Sequence, residues 1–316
     1  MYIGIDIGGT KCAVSYGDEN GNVIEKVKFS TMDCKQTIAR IIHEAKKYPN
    51  ARAVGISCGG PLDSRRGLIQ SPPNLPGWNN VPIVDILQEE LGIPAYLQND
   101  ANACALAEWL FGAGQGTENM VFLTFGTGLG AGLVLNGRIY EGANGNAGEV
   151  GHVRLCDFGP VGFGKRGAFE GFCSGAGLAQ LGQMMAREKL QVGQSVSFCK
   201  CAEDLGAITA KLIADCAYQG DEDAKEVFRI SGRQLGRGLA LLVDILNPER
   251  IVIGSIYQRC ENLLAESVQE ELCREALGVS LSVCKVLPAM LGDDIGDYAA
   301  MAVAMEGEKH HVNCFV

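Results

Sequence analysis

Ile3, Ile5 and Ile7 alternate with Gly4 and Asp6, and this β-branched alternation over residues 2–7 predicts a strand. Gly8-Gly9-Thr10 forces a turn, and apolar positions return over 11–16 as a second strand. A second turn at Asp18-Glu19-Asn20-Gly21 leads into a third strand over 22–29. The period then lengthens to that of a helix over 34–47. It shortens again to a strand over 52–57, ending in Cys58-Gly59-Gly60-Pro61, and dissolves into a turn-rich loop over 70–82. A helix and a short buried strand over 93–97 follow. From Ala103 the apolar positions Ala103, Leu106, Ala107 and Leu110 recur at helical spacing, with Glu108 on another side. Asn99-Asp100 therefore lies where a strand gives way to a helix, a place where ligands collect in α/β sheets and where the helix amino end favours negative charge. The plain alternative is that Asn99 or Asp100 only caps the helix.

Gly112-Ala113-Gly114-Gln115-Gly116 reads as a linker, dividing the chain into domains 1–113 and 114–293. Beyond it the opening pattern recurs: a strand over 120–125, a turn at Gly126-Thr127-Gly128-Leu129-Gly130, a returning strand over 131–135, and an Asn136-Gly137 turn. Both halves thus begin strand, Gly/Thr turn, strand, turn, strand, a weak internal duplication. After a glycine-rich segment over 142–171, helices are predicted over 175–189, 202–218 and 221–246. A strand over 250–253 ends in Gly254-Ser255, and a helix over about 259–273 follows. Gly292-Asp293-Asp294 opens a last helix.

Composition narrows the function. The chain has 316 residues, 47% hydrophobic and 20% charged, enough for a sizeable core. A formal net charge of -10 argues against nucleic acid or an anionic membrane as partner, since both call for basic patches. No apolar run is long enough to span a bilayer, and the amino terminus lacks a signal-peptide pattern. The 13 cysteines, odd in number, irregularly spaced and without a CxxC pair, read as reduced cytoplasmic thiols, with Cys199 and Cys201 incidental neighbours.

Two Gly/Thr hairpins, one per half, are suited to clasping phosphates from two sides, because glycine lets backbone N–H groups approach an anion. Thr10 and Thr127 add hydroxyl donors, and Asp6 at the end of the first strand can hold Mg²⁺ through water. Neither hairpin is a P-loop, and each alone could be an ordinary tight turn. Glu149, His152 and Glu170 form a second set, able to exchange hydrogen bonds with neighbouring hydroxyls such as those of a sugar. His152 could equally be a structural histidine or a metal ligand, and Glu149 a solvated side chain.

Five motifs in this order resemble the ROK family of sugar kinases and sugar-responsive repressors: Asp6-Ile7-Gly8-Gly9-Thr10-Lys11; Pro73-Asn74-Leu75-Pro76-Gly77-Trp78; Asn99-Asp100-Ala101-Asn102; Gly126-Thr127-Gly128-Leu129-Gly130-Ala131-Gly132; and Gly148-Glu149-Val150-Gly151-His152. Leu291-Gly292-Asp293-Asp294 resembles that family's closing segment. The resemblance implies an α/β fold of two actin-like (ribonuclease H-like) domains around a central cleft, with the last helix, about 294–316, packing back on the first domain. It implies ATP and Mg²⁺ as cofactors, a hexose as acceptor, a cytoplasmic homodimer, and neither nucleic acid nor membrane as partner. Carried over by position, Asp100 is the general base, and Asn74, Asn99, Glu149, His152 and Glu170 hold sugar hydroxyls. Asp6, Gly8, Gly9, Thr10 and Lys11, with Gly126, Thr127, Gly128 and Gly130, bind phosphates and Mg²⁺. Gly254 is the surviving glycine of a turn near the nucleotide. The alternative is a non-catalytic sugar-sensing protein of the same fold. Glucose, N-acetylmannosamine, N-acetylglucosamine, allose and fructose all remain open as the sugar.

The chain departs from the family between His152 and Glu170. The family's zinc-binding cysteines fall at Val161, Phe163 and Ala168, so no structural zinc is expected. Val161 and Phe163 flank Gly162, and alternation predicts that both turn to one side and pack, anchoring the loop. Family repressors carry a winged helix-turn-helix ahead of the kinase-like part. This chain opens directly on the first phosphate strand, so no DNA-reading module is expected.

Overall fold

The structure is a computed structural model and describes residues 1–313, with side chains through Lys309. In chain order the elements are β1 (Tyr2–Ile7), β2 (Lys11–Gly17), β3 (Val23–Ser30), α1 (Cys34–Ala45), β4 (Val54–Cys58), β5 (Leu62–Asp63), β6 (Leu68–Ile69), α2 (Ile83–Leu91), β7 (Ala95–Asn99), α3 (Asp100–Phe111), β8 (Met120–Phe125), β9 (Leu129–Leu135) and β10 (Arg138–Ile139). They continue as β11 (Val161–Gly162), β12 (Lys165–Arg166), α4 (Phe169–Phe172), α5 (Gly175–Gln191), α6 (Ala210–Tyr218), α7 (Glu222–Leu246), β13 (Arg250–Ser255), α8 (Ile256–Arg259), α9 (Glu261–Glu275), α10 (Gly278–Leu281), β14 (Lys285–Pro288) and α11 (Ile295–Asn313). Among the described residues no helix is long and apolar enough to cross a membrane.

The chain divides into two compact units. The first comprises Met1–Glu118, Gly132–Ala147 and Met290–Val316, and the second Asn119–Ala131 and Gly148–Ala289. The segment read from sequence as a linker, 112–116, is tied into the first unit. The N–H groups of Gly112 and Gly114 donate to the Glu108 carbonyl at 3.0 and 2.8 Å, and the Trp109 indole donates to the Thr117 carbonyl at 2.7 Å. The last three residues of the expected terminal helix, 314–316, lie outside the described residues.

In the first unit the sheet order is β3-β2-β1-β4-β7. β1, β4 and β7 run parallel, so their carboxyl ends reach one edge. Helix α11 lies directly on this sheet through a run of buried small residues, Ala299, Ala300, Ala302 and Ala304. Gly55 makes that approach possible, since a β-carbon there would collide with the backbone of Ala300 and Ala304. In the second unit β8, β13 and β14 run parallel in one sheet. α7 starts on Asp221, whose side chain accepts from Ala224 N–H at 2.7 Å, and ends on Asn247 in the left-handed region.

Two predicted helices are each two elements. The 202–218 stretch breaks because Thr209 starts a new helix, its hydroxyl accepting from Leu212 N–H at 3.1 Å. The later helix begins earlier, at Ile256, and is interrupted at Cys260, whose φ of -122° is not helical. β14 has no counterpart in the sequence reading.

Glu108, on another side of α3 from the apolar positions read in the sequence, is fully buried. Its Oε1 accepts from the N–H groups of Met290 and Leu291, each at 2.9 Å, and its Oε2 from Ala113 at 2.8 Å. One carboxylate thus fastens α3 to the segment that leads into α11. Glu108→Gln puts an amide NH₂ against backbone donors, and by the usual cost of orphaned buried donors the first unit should lose roughly 2–4 kcal/mol. Thermal and urea unfolding report this directly, and a loss below about 1 kcal/mol contradicts the role given to Glu108.

Candidate functional site

The sequence-predicted residues fall into two sets, one in each unit. In the first unit they gather at the carboxyl edge of β1, β4 and β7. Gly8 and Gly9 form the turn from β1 to β2, where Gly8 N–H donates to the Lys11 carbonyl at 3.1 Å. Thr31 braces the turn, its hydroxyl donating to the Gly8 carbonyl at 2.6 Å. Thr10 and Lys11 are exposed. Asn74 packs on this turn: a β-carbon on Gly9 would lie 2.6 Å from the Asn74 carbonyl and 2.7 Å from its Cβ. The Pro-rich loop and the first hairpin are therefore in contact, and glycine at position 9 permits it.

Asn99 is the helix cap, its side-chain oxygen accepting from Asn102 N–H at 2.8 Å. That frees Asp100, the first residue of α3, from capping. The Asp100 carboxylate accepts from Ala101 N–H at 2.8 Å and from its own amide. Its surface is open to solvent, yet surrounding protein displaces enough water to push its carboxyl above the ordinary carboxylate range.

Asp6, at the end of β1, is pushed up to about 6, first by burial and then by repulsion from the Asp297 and Asp100 carboxylates, with Lys28 and Lys26 opposing. Asp297 lies in the first turn of α11, is buried, accepts from the Ser15 hydroxyl at 3.1 Å and pairs with Lys26. Asp297 and Asp100 lie within electrostatic reach of Asp6, whose side chain accepts no hydrogen bond among the described residues, so the Asp6 carboxylate suits a hard divalent cation that keeps its waters. The sequence reading picked out Asp293 and Asp294 of the closing segment and missed Asp297, whose signal is the same Gly-Asp-rich entry into the last helix.

A buried network behind Asp100 also escaped the sequence reading. The Gln98 side-chain oxygen accepts from Asn99 N–H at 2.9 Å and from the Asn102 amide at 3.1 Å, while its NH₂ donates to Glu141 Oε1 at 2.9 Å. The Ser64 hydroxyl donates to the same Glu141 oxygen at 2.6 Å. Glu141 thus fixes which way Gln98 faces, and Gln98 fixes the entry to α3.

In the second unit the turn from β8 to β9 is closed by Gly126 N–H donating to the Gly128 carbonyl at 3.0 Å. The amino end of α5 abuts it, with Gly175 N–H donating to the Gly126 carbonyl at 2.8 Å. Ser255, beside Gly126, has a φ of +61°, so the turn after Gly254 keeps a glycine-like backbone although serine occupies it. Glu170 Oε2 accepts from Leu129 N–H at 3.0 Å, and a β-carbon on Gly128 would lie 2.7 Å from that oxygen. Thr127 lies in this turn, and Gly130 is the second residue of β9. Glu149 is exposed and precedes a single helical turn over Val150–His152. Glu170, Gly128 and Leu129 therefore belong together, whereas Glu149 and His152 approach from the neighbouring turn, where Gly151 touches Glu170 Cβ at what would be 3.2 Å from an added β-carbon.

The expectation that Val161 and Phe163 pack inward is wrong: they are 41% and 82% exposed. The alternation argument assumes extended backbone, but Phe163 and Gly164 have φ of +43° and +76° and form the tip of the β11–β12 hairpin. The loop is held by polar contacts instead. The Gln180 amide bonds both N–H and carbonyl of Val161 at 2.9 Å, and Lys165 donates to the His152 carbonyl at 2.6 Å. Among the described residues no group of three or more His, Cys, Asp or Glu side chains is placed to hold a metal; Cys156 faces Gln234, and Cys173 is buried against the Ser231 carbonyl.

Known proteins match this chain over most of its length. The glucokinase of Thermotoga maritima is 32% identical over 311 residues, spanning 96% of this chain and 97% of that protein. The ROK glucokinase of Streptomyces griseus, solved with glucose and AMPPNP, is 30% identical, covers 97% of this chain and 99% of its own, and superposes with a TM-score of 0.75. The xylose repressor of Caldicellulosiruptor bescii is 29% identical over 285 residues, 85% of this chain and 69% of that protein. The two α/β units are those of the actin-like fold of such kinases. The ROK family profile matches residues 2–306, and the chain belongs to the ROK family.

Proposed function

We propose that the chain is an ATP-dependent sugar kinase that transfers the γ-phosphoryl group to the 6-hydroxyl of a hexose, with Asp100 as general base. The observation that carries this reading is the state of Asp100. It stands at a strand-to-helix junction, is open to solvent, is relieved of capping by Asn99, and has a carboxyl raised by desolvation. A base so placed can take the proton of an attacking hydroxyl, and a raised pKa improves its proton affinity. The N–H groups of the two hairpins suit the charge that develops on a transferring phosphoryl group. Mg²⁺, held through water by Asp6, would supply charge neutralisation of the phosphates. The free thiols of the described residues support a reducing, cytoplasmic setting.

The test is ADP release with Mg²⁺ across glucose, mannose, fructose, allose, N-acetylglucosamine and N-acetylmannosamine. The kinase reading expects turnover of at least one. Calorimetric sugar binding without ADP release would instead establish a non-catalytic sugar sensor.

Two substitutions separate the roles of the second-unit carboxylates. Glu149→Ala should raise the sugar KM about tenfold or more, the loss expected for one charge-assisted hydrogen bond, with the ATP KM nearly unchanged. Glu170→Ala should raise both, because it also orphans the buried Leu129 N–H of the second hairpin. Equal sugar affinity of both variants and the wild-type protein in calorimetry would remove these residues from the pocket.

A further inference from the structure

Phe163 sits in a conformation that packing does not explain. A two-residue hairpin turn with both φ positive favours Asn-Gly, and a bulky side chain there is strained. The strain is not offset by burial, since the ring is 82% exposed. Among the described residues its one ring partner is His152, met edge-on at a centroid distance of 5.1 Å and an interplanar angle of 80°. The hairpin is fixed on both sides of the ring: Lys165 donates to the His152 carbonyl, and Gly162 lies so close to Glu170 that a β-carbon would be 2.9 Å from its Cβ. An exposed aromatic ring is thus held beside His152, one of the groups proposed to bond sugar hydroxyls, on a hairpin whose Gly162 backbone packs on another, Glu170.

A pyranose has a rim of hydroxyls and faces made of C–H groups. Imidazole and carboxylate match the rim, and an aromatic ring matches a face. We propose that Phe163 is a specificity-determining residue whose ring packs against the C–H face of a pyranose acceptor. The proposal rests on the sugar-kinase reading above and assigns that site a ligand class: a six-membered sugar ring with one face unbroken by axial hydroxyls.

Phe158 provides a control. It is 79% exposed in the same loop and makes no ring contact with His152 among the described residues. Phe163→Gly should raise the dissociation constant and KM for glucose about tenfold, with the ATP KM and kcat within about twofold of wild type. Its melting temperature should be equal or higher, because glycine relieves the strained φ. Phe163→Trp should restore most of the affinity, and Phe158→Ala should leave it unchanged. An unaltered glucose dissociation constant in Phe163→Gly overturns the proposal, as does an equal loss in Phe158→Ala or a lowered melting temperature that marks Phe163 as structural. Calorimetry without nucleotide keeps the two readings apart. A wild-type chain that binds glucose but releases no ADP defeats the kinase reading, while Phe163 is still judged by its dissociation constant.

Discussion

Asp100→Asn is expected to lower kcat by about a hundredfold or more while glucose binding, measured by calorimetry, changes little. Asparagine is close in shape, and the backbone bond from Ala101 can still go to the amide oxygen, so α3 should start as before. What is lost is the ability to take a proton. The pH profile gives an independent check. A base must be ionised, so kcat/KM of the wild-type enzyme should fall as pH drops through the Asp100 pKa. Because desolvation raises that pKa, the limb should lie above the range of an ordinary aspartate. The variant should lack this limb. Near-normal kcat in Asp100→Asn would rule it out as the base, and a limb at the ordinary carboxylate pKa would show that it is not desolvated in solution.

What the sequence disclosed and what it hid follow one division. β1 and β7 announce themselves because their side chains are sorted by nearest neighbours along the chain, and Asp100 is found because strand, cap and helix are contiguous there. The burial of Glu108 was not legible because a period of 3.6 reveals one buried face. The partners that bury its other face, Met290 and Leu291, lie more than 180 residues away. Asp297 and the Gln98–Glu141 bond are non-local in the same sense. Phe163 failed for a different reason: the alternation of side chains holds only for extended backbone, and two positive φ values at the hairpin tip turn the ring outward. Local rules therefore found the residues that bear the proposed chemistry and missed those that position them.

Asp6→Asn is expected to raise stability while impairing catalysis. In the folded chain Asp6 titrates near 6, above the value of about 3.9 for an unfolded aspartate. A raised carboxyl pKa means that the folded state holds the proton more tightly. Stability is therefore lost as pH rises between about 4 and 6 and stays lost above that window. Burial and the like charges of Asp297 and Asp100 impose this penalty, at most about 3 kcal/mol for the two-unit shift. A neutral asparagine escapes it. In EDTA at pH 7.5 the variant should melt several degrees above wild type, and the two should converge near pH 4, where Asp6 is protonated in the folded protein. Millimolar Mg²⁺ should raise the melting temperature of the wild-type protein, since a cation bound only by the folded state stabilises it, and should barely affect the variant. Activity should move the other way, with kcat in saturating Mg²⁺ down by about a hundredfold. If the variant instead melts below wild type at pH 7.5 in EDTA, the three carboxylates are already compensated, and the case for a cation at Asp6 fails with them.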